Sequence, residues 1–259
     1  MIKERLLEGK TIISTRPANR SKDLIELIEN EGGTLIQLPL IELSAAQNNS
    51  IDSALNNFES FSHIAFTSVF GFNFFLDCFK KLDNYKSLLN KIKITSIGYR
   101  TSEEIKKAGF NIAFDANAKT GYDFAVRFNK YINGESIKVL WPTGNLSPNQ
   151  ILENTDPNIE LTRINIYHNT MPSSIDNSII NRIEKDEYDL IITASPSAVN
   201  NLNKVTKANN LKLVCIGKTT TEAAINKGYQ PLAMADTPTN KGLCDAILNY
   251  YKNNSTIKI

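Results

Sequence analysis

The chain has little of what most enzymes use for covalent or redox chemistry. Its 259 residues hold two histidines and three cysteines. His63 and His168 stand in no H-E-x-x-H or H-x-x-E-H pattern, and Cys78, Cys215 and Cys244 are far apart with no C-x-x-C. A metal site is therefore not expected. An odd number of scattered cysteines reads as reduced, buried thiols in a cytoplasmic protein rather than as a disulfide framework. The absence of G-x-S-x-G argues against a serine-hydrolase elbow. The absence of G-x-x-x-x-G-K-[ST] and G-x-G-x-x-G argues against a nucleotide or flavin enzyme. No charge of one sign dominates: 29 Lys and Arg face 27 Asp and Glu, a net +2, so neither nucleic acid nor a membrane surface is an expected partner. No apolar run approaches the roughly 18 residues of a membrane span, and MIKERLLEGKTIIS is too polar for a signal peptide.

What the chain does have is a repeated plan. Leu190-Ile191-Ile192 is an apolar run that ends in small residues from Thr193 to Ser197, and a helix-like segment follows. Leu211 to Ile216 is a second run, ending at Gly217, after which Thr219, Thr220 and Thr221 open another helix. HIAFTSVFGFNFF (63–75) and ITSIGYRTSEEIKKAG (94–109) follow the same plan in the first half. Gly98 and Gly217 lie 119 residues apart (217 less 98), as do Gly109 and Gly228, whereas Ser68 and Ser195 lie 127 apart (195 less 68). A period above about a hundred residues is too long for a solenoid and fits two similar domains. Strands alternating with helices imply parallel sheets covered on both faces. Ser21 is placed to cap a helix running to about Glu31, and Thr101 with Glu104 has capping-box spacing that starts a helix at Thr101. Ile137 to Trp141 reads as a strand stopped by Pro142-Thr143-Gly144-Asn145, in the manner of the first strand and its Thr15-Arg16-Pro17 turn. The tail NNSTIKI is expected to fray.

The chemistry-bearing residues are hydroxyls at strand-to-helix turns: Thr15, Thr67, Ser68, Thr101, Thr143, Ser195, Ser197, Thr219, Thr220 and Thr239. Unpaired N–H groups and the positive dipole end at such turns favour anions, and open α/β sheets bind ligands at the carboxyl ends of their strands. Two domains presenting several helix starts to one cleft would suit a ligand with many carboxylates or phosphates. Each hydroxyl taken singly is better explained by helix capping, and the collective pattern says more than any one member. Arg16, Arg100 and Lys218 lie in the same turns and are able to meet carboxylates. Tyr167 closes an extended segment, and a phenol of pKa about 10 is a proton donor at neutral pH. On these residues alone, a noncatalytic two-domain binding protein for a small polyanionic ligand stands beside an enzyme.

The ordered set TIISTRPANR, LPLIEL, AFTSVFGFNFF, SIGYRTSEEIKKAGF, KVLWPTGN, INIYHNT, IITASPSAVNNL, CIGKTTTEAAINKGY and DTPTNKGL resembles the uroporphyrinogen-III synthase family over nearly the whole length. The resemblance implies two flavodoxin-like, three-layer α/β domains with parallel sheets, joined by a two-stranded linker ladder. One domain would be discontinuous (1–37 plus 173–259), the second would span 44–163, and 38–43 and 164–172 would cross between them. It implies a cofactor- and metal-independent lyase of haem biosynthesis. Such an enzyme converts hydroxymethylbilane, a tetrapyrrole substrate, into uroporphyrinogen III with inversion of ring D and loss of water. By motif, Tyr167 matches the family's candidate acid. Ser195 and Ser197 look like its cleft residues, Thr219 and Thr220 match its threonine turn, and Thr67 and Ser68 match the turn of the facing domain; Thr15, Arg16 and Thr101 join them as candidate substrate-binding residues from their place in the turns. Lys218 stands where many members have proline. A cytoplasmic monomer in transient contact with a porphobilinogen deaminase is the accompanying expectation.

Overall fold

The computed structural model describes residues 5–17 and 20–255. Ala18 and Asn19 of the TIISTRPANR motif, and the last four residues of the NNSTIKI tail, lie outside them. In chain order the elements begin with β1 (Thr11–Ser14), α1 (Lys22–Asn30), β2 (Thr34–Gln37), β3 (Glu42–Ala45) and α2 (Asn49–Asn56). Next come β4 (His63–Phe66), α3 (Val69–Phe79), α4 (Tyr85–Lys91), β5 (Lys93–Ser96), α5 (Tyr99–Lys107) and β6 (Phe114–Asp115). Then follow α6 (Gly121–Ile132), β7 (Ile137–Gly144), α7 (Gln150–Asn154), β8 (Ile159–Thr170) and α8 (Asn177–Glu184). The chain closes with β9 (Leu190–Thr193), α9 (Pro196–Val205), β10 (Leu213–Cys215), α10 (Lys218–Ile225), β11 (Ala233–Met234) and α11 (Asn240–Ser255).

The chain divides into two compact units, one of residues 1–42 with 170–259 and the other of 43–169. The discontinuous unit has a five-stranded sheet in the order β11-β10-β9-β1-β2, parallel at every pair. Taken in chain order its strands lie 2-1-3-4-5, the flavodoxin-like doubly wound order. Successive strand residues point to opposite faces, and the core follows that alternation. Ile13, Ile191 and Leu213 pack with α8, α9 and α10 on one face. Ile12, Leu190, Ile192 and Val214 pack with α1 and α11 on the other.

The continuous unit has the order β3-β8-β7-β4-β5-β6, with β8 through β6 parallel. Set beside the first sheet, β7 and β8 take the places of β1 and β2, while β4, β5 and β6 take those of β9, β10 and β11. The two units therefore share one spatial order with a different entry point in the chain. Ile64, Phe66, Leu140, Ile164 and Ile166 face an aromatic layer supplied by α3. Ala65, Val139 and Trp141 face Phe124, Phe128 and Ile132 of α6. β3 joins β8 at the edge of this sheet.

Three local expectations are corrected. Ser21 makes no side-chain cap bond and has helical dihedrals; its hydroxyl donates instead to the Pro17 carbonyl at 3.3 Å. α5 begins at Tyr99, with Gly98 in the capping position, so Thr101 lies inside the first turn. The chain turns there as soon as β5 ends, and Thr101 faces inward at 3% exposure. β7 runs through Pro142 to Gly144 rather than ending at Trp141. Pro142 is tolerated because β7 lacks only one donor there, while flanking Trp141 and Thr143 stay in register with β8. α4 has no clear sequence signal, because its single buried residue, Leu89, gives no helical period to read.

Candidate functional site

The carboxyl edge of the discontinuous sheet collects Thr15, Arg16, Ser195, Ser197, Thr219 and Thr220. β9 leads into α9 through Ser195, whose extended backbone (φ −165°, ψ 158°) turns its hydroxyl back onto the helix start. Its Oγ accepts from the Ala198 N–H at 3.1 Å and lies 3.0 Å from the Ser197 Oγ. Pro196 occupies the first helical turn, where its missing N–H costs nothing. Thr219 is exposed in the first turn of α10, while Thr220 beside it is buried. Thr15 is buried and its hydroxyl donates to the Ile192 carbonyl at 2.8 Å, tying β1 to β9. Lys218 is exposed and pairs loosely with Glu222 at 3.9 Å.

Arg16 differs from all of these. Its Nε and Nη1 are buried and have no hydrogen-bond partner among the described residues. Burial, with Arg20 adding like-charge repulsion, pulls its guanidinium below the ordinary arginine value. Arginine does not give up its proton in a protein, so this is a desolvated cation with unfilled donors. A group in that state is costly to the fold and is suited to receive a carboxylate in a forked pair.

The carboxyl edge of the continuous sheet collects Thr67, Ser68, Thr101 and Tyr167. Ser68 (φ −159°, ψ 152°) caps α3, its Oγ accepting from the Gly71 N–H at 2.9 Å. Thr67 Oγ1 accepts from the Trp141 indole N–H at 2.9 Å. An indole only donates, so the Thr67 hydroxyl proton is directed elsewhere. Thr143 donates to Ser147 within the turn after β7. Arg163 spans this turn from β8, donating to Asn149 Oδ1 at 2.6 Å and to the Gly144 carbonyl at 3.2 Å, with its guanidinium 5.2 Å from the Trp141 ring centre.

Tyr167 stands near the end of β8 at 9% exposure. Its ring stacks on Phe74 (5.2 Å between centroids, 18°) and leans on Phe70 (6.0 Å). Strand alternation from Arg163, which lies over Trp141, would send Tyr167 to the α6 face. A register shift prevents that: Thr143 pairs with Asn165 but Gly144 pairs with Tyr167, so two residues of β8 oppose one of β7. Such a bulge re-aims the side chain that follows it, and Tyr167 joins Ile164 and Ile166 against α3. Sequence reading missed Gly144 and Arg163 in this arrangement. The available signal was the glycine in Trp-Pro-Thr-Gly, at the end of a strand. Among the described residues no group of three or more His, Cys, Asp or Glu is placed to hold a metal ion, and no helix is long and apolar enough to cross a membrane.

A family model described as uroporphyrinogen-III synthase HemD matches residues 22–245. The porphyrin biosynthesis protein HemD of Ruminiclostridium josui is 26% identical over 247 residues, covering 93% of this chain and 49% of that protein. The chain thus spans about half the length of that relative. The chloroplastic uroporphyrinogen-III synthase of Oryza sativa subsp. japonica is 25% identical, covering 92% of this chain and 79% of its own. Among solved structures, a mutant uroporphyrinogen III synthase of Thermus thermophilus superposes with a TM-score of 0.66 at 14% identity, covering 94% of this chain and 99% of that one. The Helicobacter pylori 26695 uroporphyrinogen-III synthetase gives 0.63 at 17%, covering 93% and 99%. The match runs from α1 into α11, over Tyr167 and the turns after β4, β5, β9 and β10 but not over Thr15 and Arg16, and the folds agree over nearly the whole chain: the protein belongs to the uroporphyrinogen-III synthase family.

Proposed function

We propose that the protein cyclises hydroxymethylbilane to uroporphyrinogen III with inversion of ring D and loss of water, as a lyase that needs no cofactor. The observation that carries this reading is the family match across residues 22–245, which takes in Tyr167, the continuous unit and all of the discontinuous unit's strands except β1. The bilane closes spontaneously to the uninverted isomer, so the protein must hold the chain in one folded shape, and positioning supplies much of the effect. Tyr167 is the acid that assists departure of the ring A hydroxyl as water, leaving an azafulvene cation. The substituted carbon of ring D attacks that cation, and the resulting spirocyclic intermediate fragments and recloses.

The substrate carries acetates and propionates on every ring. Arg16, whose buried Nε and Nη1 have no partner among the described residues, is the strongest carboxylate partner on the discontinuous unit. Ser195, Ser197 and Thr219 supply hydroxyls and helix-start donors on the same carboxyl edge. On the continuous unit, Thr67 and Ser68 do so. Thr15, Thr101 and Thr220 are buried and support the reading only as residues that shape these turns. A cytoplasmic monomer that takes the bilane from a porphobilinogen deaminase is the setting the reading implies.

The test is a coupled assay in which porphobilinogen and a deaminase generate the bilane, the purified protein is added, and the oxidised porphyrin isomers are separated. Predominantly isomer III is expected. Isomer I alone, from a folded protein, would replace this reading with that of a noncatalytic binding protein for a polyanion.

A further inference from the structure

We propose that Gly144 is a positioning residue for Tyr167: the side chain it lacks leaves the slot in which the Tyr167 ring lies, and the bulge beside it turns that ring onto α3. The inference rests on the reading of Tyr167 as the acid.

A β-carbon built on Gly144 would fall 2.5 Å from Tyr167 Cζ, 2.6 Å from Cε2 and 2.7 Å from the phenol oxygen. The backbone is not the reason for glycine here. Gly9, Gly32, Gly109, Gly134 and Gly228 are the described glycines in the left-handed region, and Gly144 is not among them. Alanine is therefore not opposed by a left-handed backbone, and its nearest obstacle is the phenol ring.

The strain of an added methyl group falls on the ring, because the strands are pinned on both sides. The Gly144 carbonyl accepts from Arg163 Nη2 at 3.2 Å and from the Ser147 N–H at 3.1 Å. The Tyr167 carbonyl accepts from the Asn145 N–H at 3.2 Å. Asn145 also brackets Asn169, with its Oδ1 accepting from the Asn169 N–H at 2.8 Å. The ring itself leaves only by giving up its stack on Phe74 and its contact with Phe70. Because no other heavy atom comes as close to the added carbon, the substitution acts on Tyr167 first.

The experiment measures kcat and KM for isomer III formation in the wild type, Gly144→Ala, Tyr167→Phe and the double variant, with ring-to-ring contacts of Tyr167 and Phe74 followed by NMR. Gly144→Ala is expected to lower kcat about 10- to 100-fold, the effect of moving an acid by roughly 1 Å. KM should stay within about twofold and the Tyr167–Phe74 contact should be lost. In the Tyr167→Phe background it should lower kcat no further, because a group that acts only through another cannot add to its loss. Wild-type kcat in Gly144→Ala, or additive losses in the double variant, would overturn the proposal while leaving Tyr167 as the acid. Wild-type kcat in Tyr167→Phe would overturn both. Should Gly144→Ala not fold, Gly144→Ala with Tyr167→Ala removes the obstructing ring and is expected to restore a cooperative melt; its failure to do so would also overturn the proposal.

Discussion

The turn from β4 to α3 and the turn from β9 to α9 have nearly the same backbone. Ser68 lies at φ −159°, ψ 152° and Ser195 at φ −165°, ψ 158°, and each hydroxyl caps the N–H three residues on. The turns after β5 and β10 agree as well: Gly98 and Gly217 are both extended, near φ 173° and 171°. Thr101 and Thr220, each three residues further, are both buried at 3% and 2%. Features that appear in both units answer to the demands of the fold. Those that appear in one point to chemistry. β7 and β8 outrun their counterparts β1 and β2, at 8 and 12 residues against 4 and 4. The extra length carries Gly144, the bulge and Tyr167. Among the described residues, the discontinuous unit has no counterpart to these, but it alone holds an arginine with buried, unfilled donor atoms.

Tyr167→Phe is the sharpest way to break this comparison. Loss of the proposed acid should lower kcat about 10²- to 10⁴-fold while the midpoint of urea unfolding barely moves. A wild-type rate of isomer III formation would return Tyr167 to a packing role and remove the main asymmetry.

The next largest effect is on stability and comes from a single substitution between the repeats. His63 opens β4 where the 127-residue offset places Leu190 in β9. It is 2% exposed, its Nδ1 meets the Ser62 hydroxyl at 2.9 Å, its Nε2 has no partner among the described residues, and Phe128 and Tyr131 pack edge-on. Burial lowers its pKa to about 4, Lys93 adds to the shift and Glu135 opposes it. The unfolded chain takes up this proton near pH 6.5 and the folded protein only near pH 4. Stability present above pH 6.5 is therefore lost as the pH falls to 4, by about 3 kcal/mol at most. Urea unfolding from pH 7.5 to 4 should show this slope, and His63→Leu should flatten it. An unchanged slope in the variant would assign the acid sensitivity to other groups.

Arg16→Met should raise KM by about tenfold while raising the unfolding free energy by roughly 1 kcal/mol or more, because a desolvated cation whose Nε and Nη1 have no partner among the described residues is replaced by an apolar chain of similar length. Loss of both affinity and stability would make Arg16 a structural residue. The smallest effect should be the symmetrical one. Ser68→Ala and Ser195→Ala should each cost about 1 kcal/mol in urea titration. A loss of turnover in one variant well beyond that in the other would show that the duplicated cap has taken on a role in a single unit.

Much of this was legible in the sequence. The offsets of 119 and 127 residues announce a duplicated architecture, and Ser68 and Ser195 reveal themselves as caps because capping is a local matter of hydroxyl, spacing and extended backbone. The same local logic failed at Ser21 and Thr101. There the chain had other partners for the hydroxyl, or buried it, and tertiary packing overrode the spacing. Arg16, Thr67 and Tyr167 stand out by their positions at strand ends, but nothing in the sequence distinguishes Arg16 from a solvated surface charge. Its burial depends on what the neighbouring strands and turns bring around it.

The order of apolar runs, turns and helices by itself determined the alternating α/β architecture and the internal repeat, because period and capping act over a few residues. Only the tertiary structure decided that β7 and β8 enter the second sheet where β1 and β2 enter the first. It also decided which face Tyr167 occupies. Alternation along β8 points that ring one way, and a single-residue shift in register opposite Gly144 points it the other. Register is a relation between two strands distant in the chain, set by the packing of both, and neither strand's sequence contains it alone.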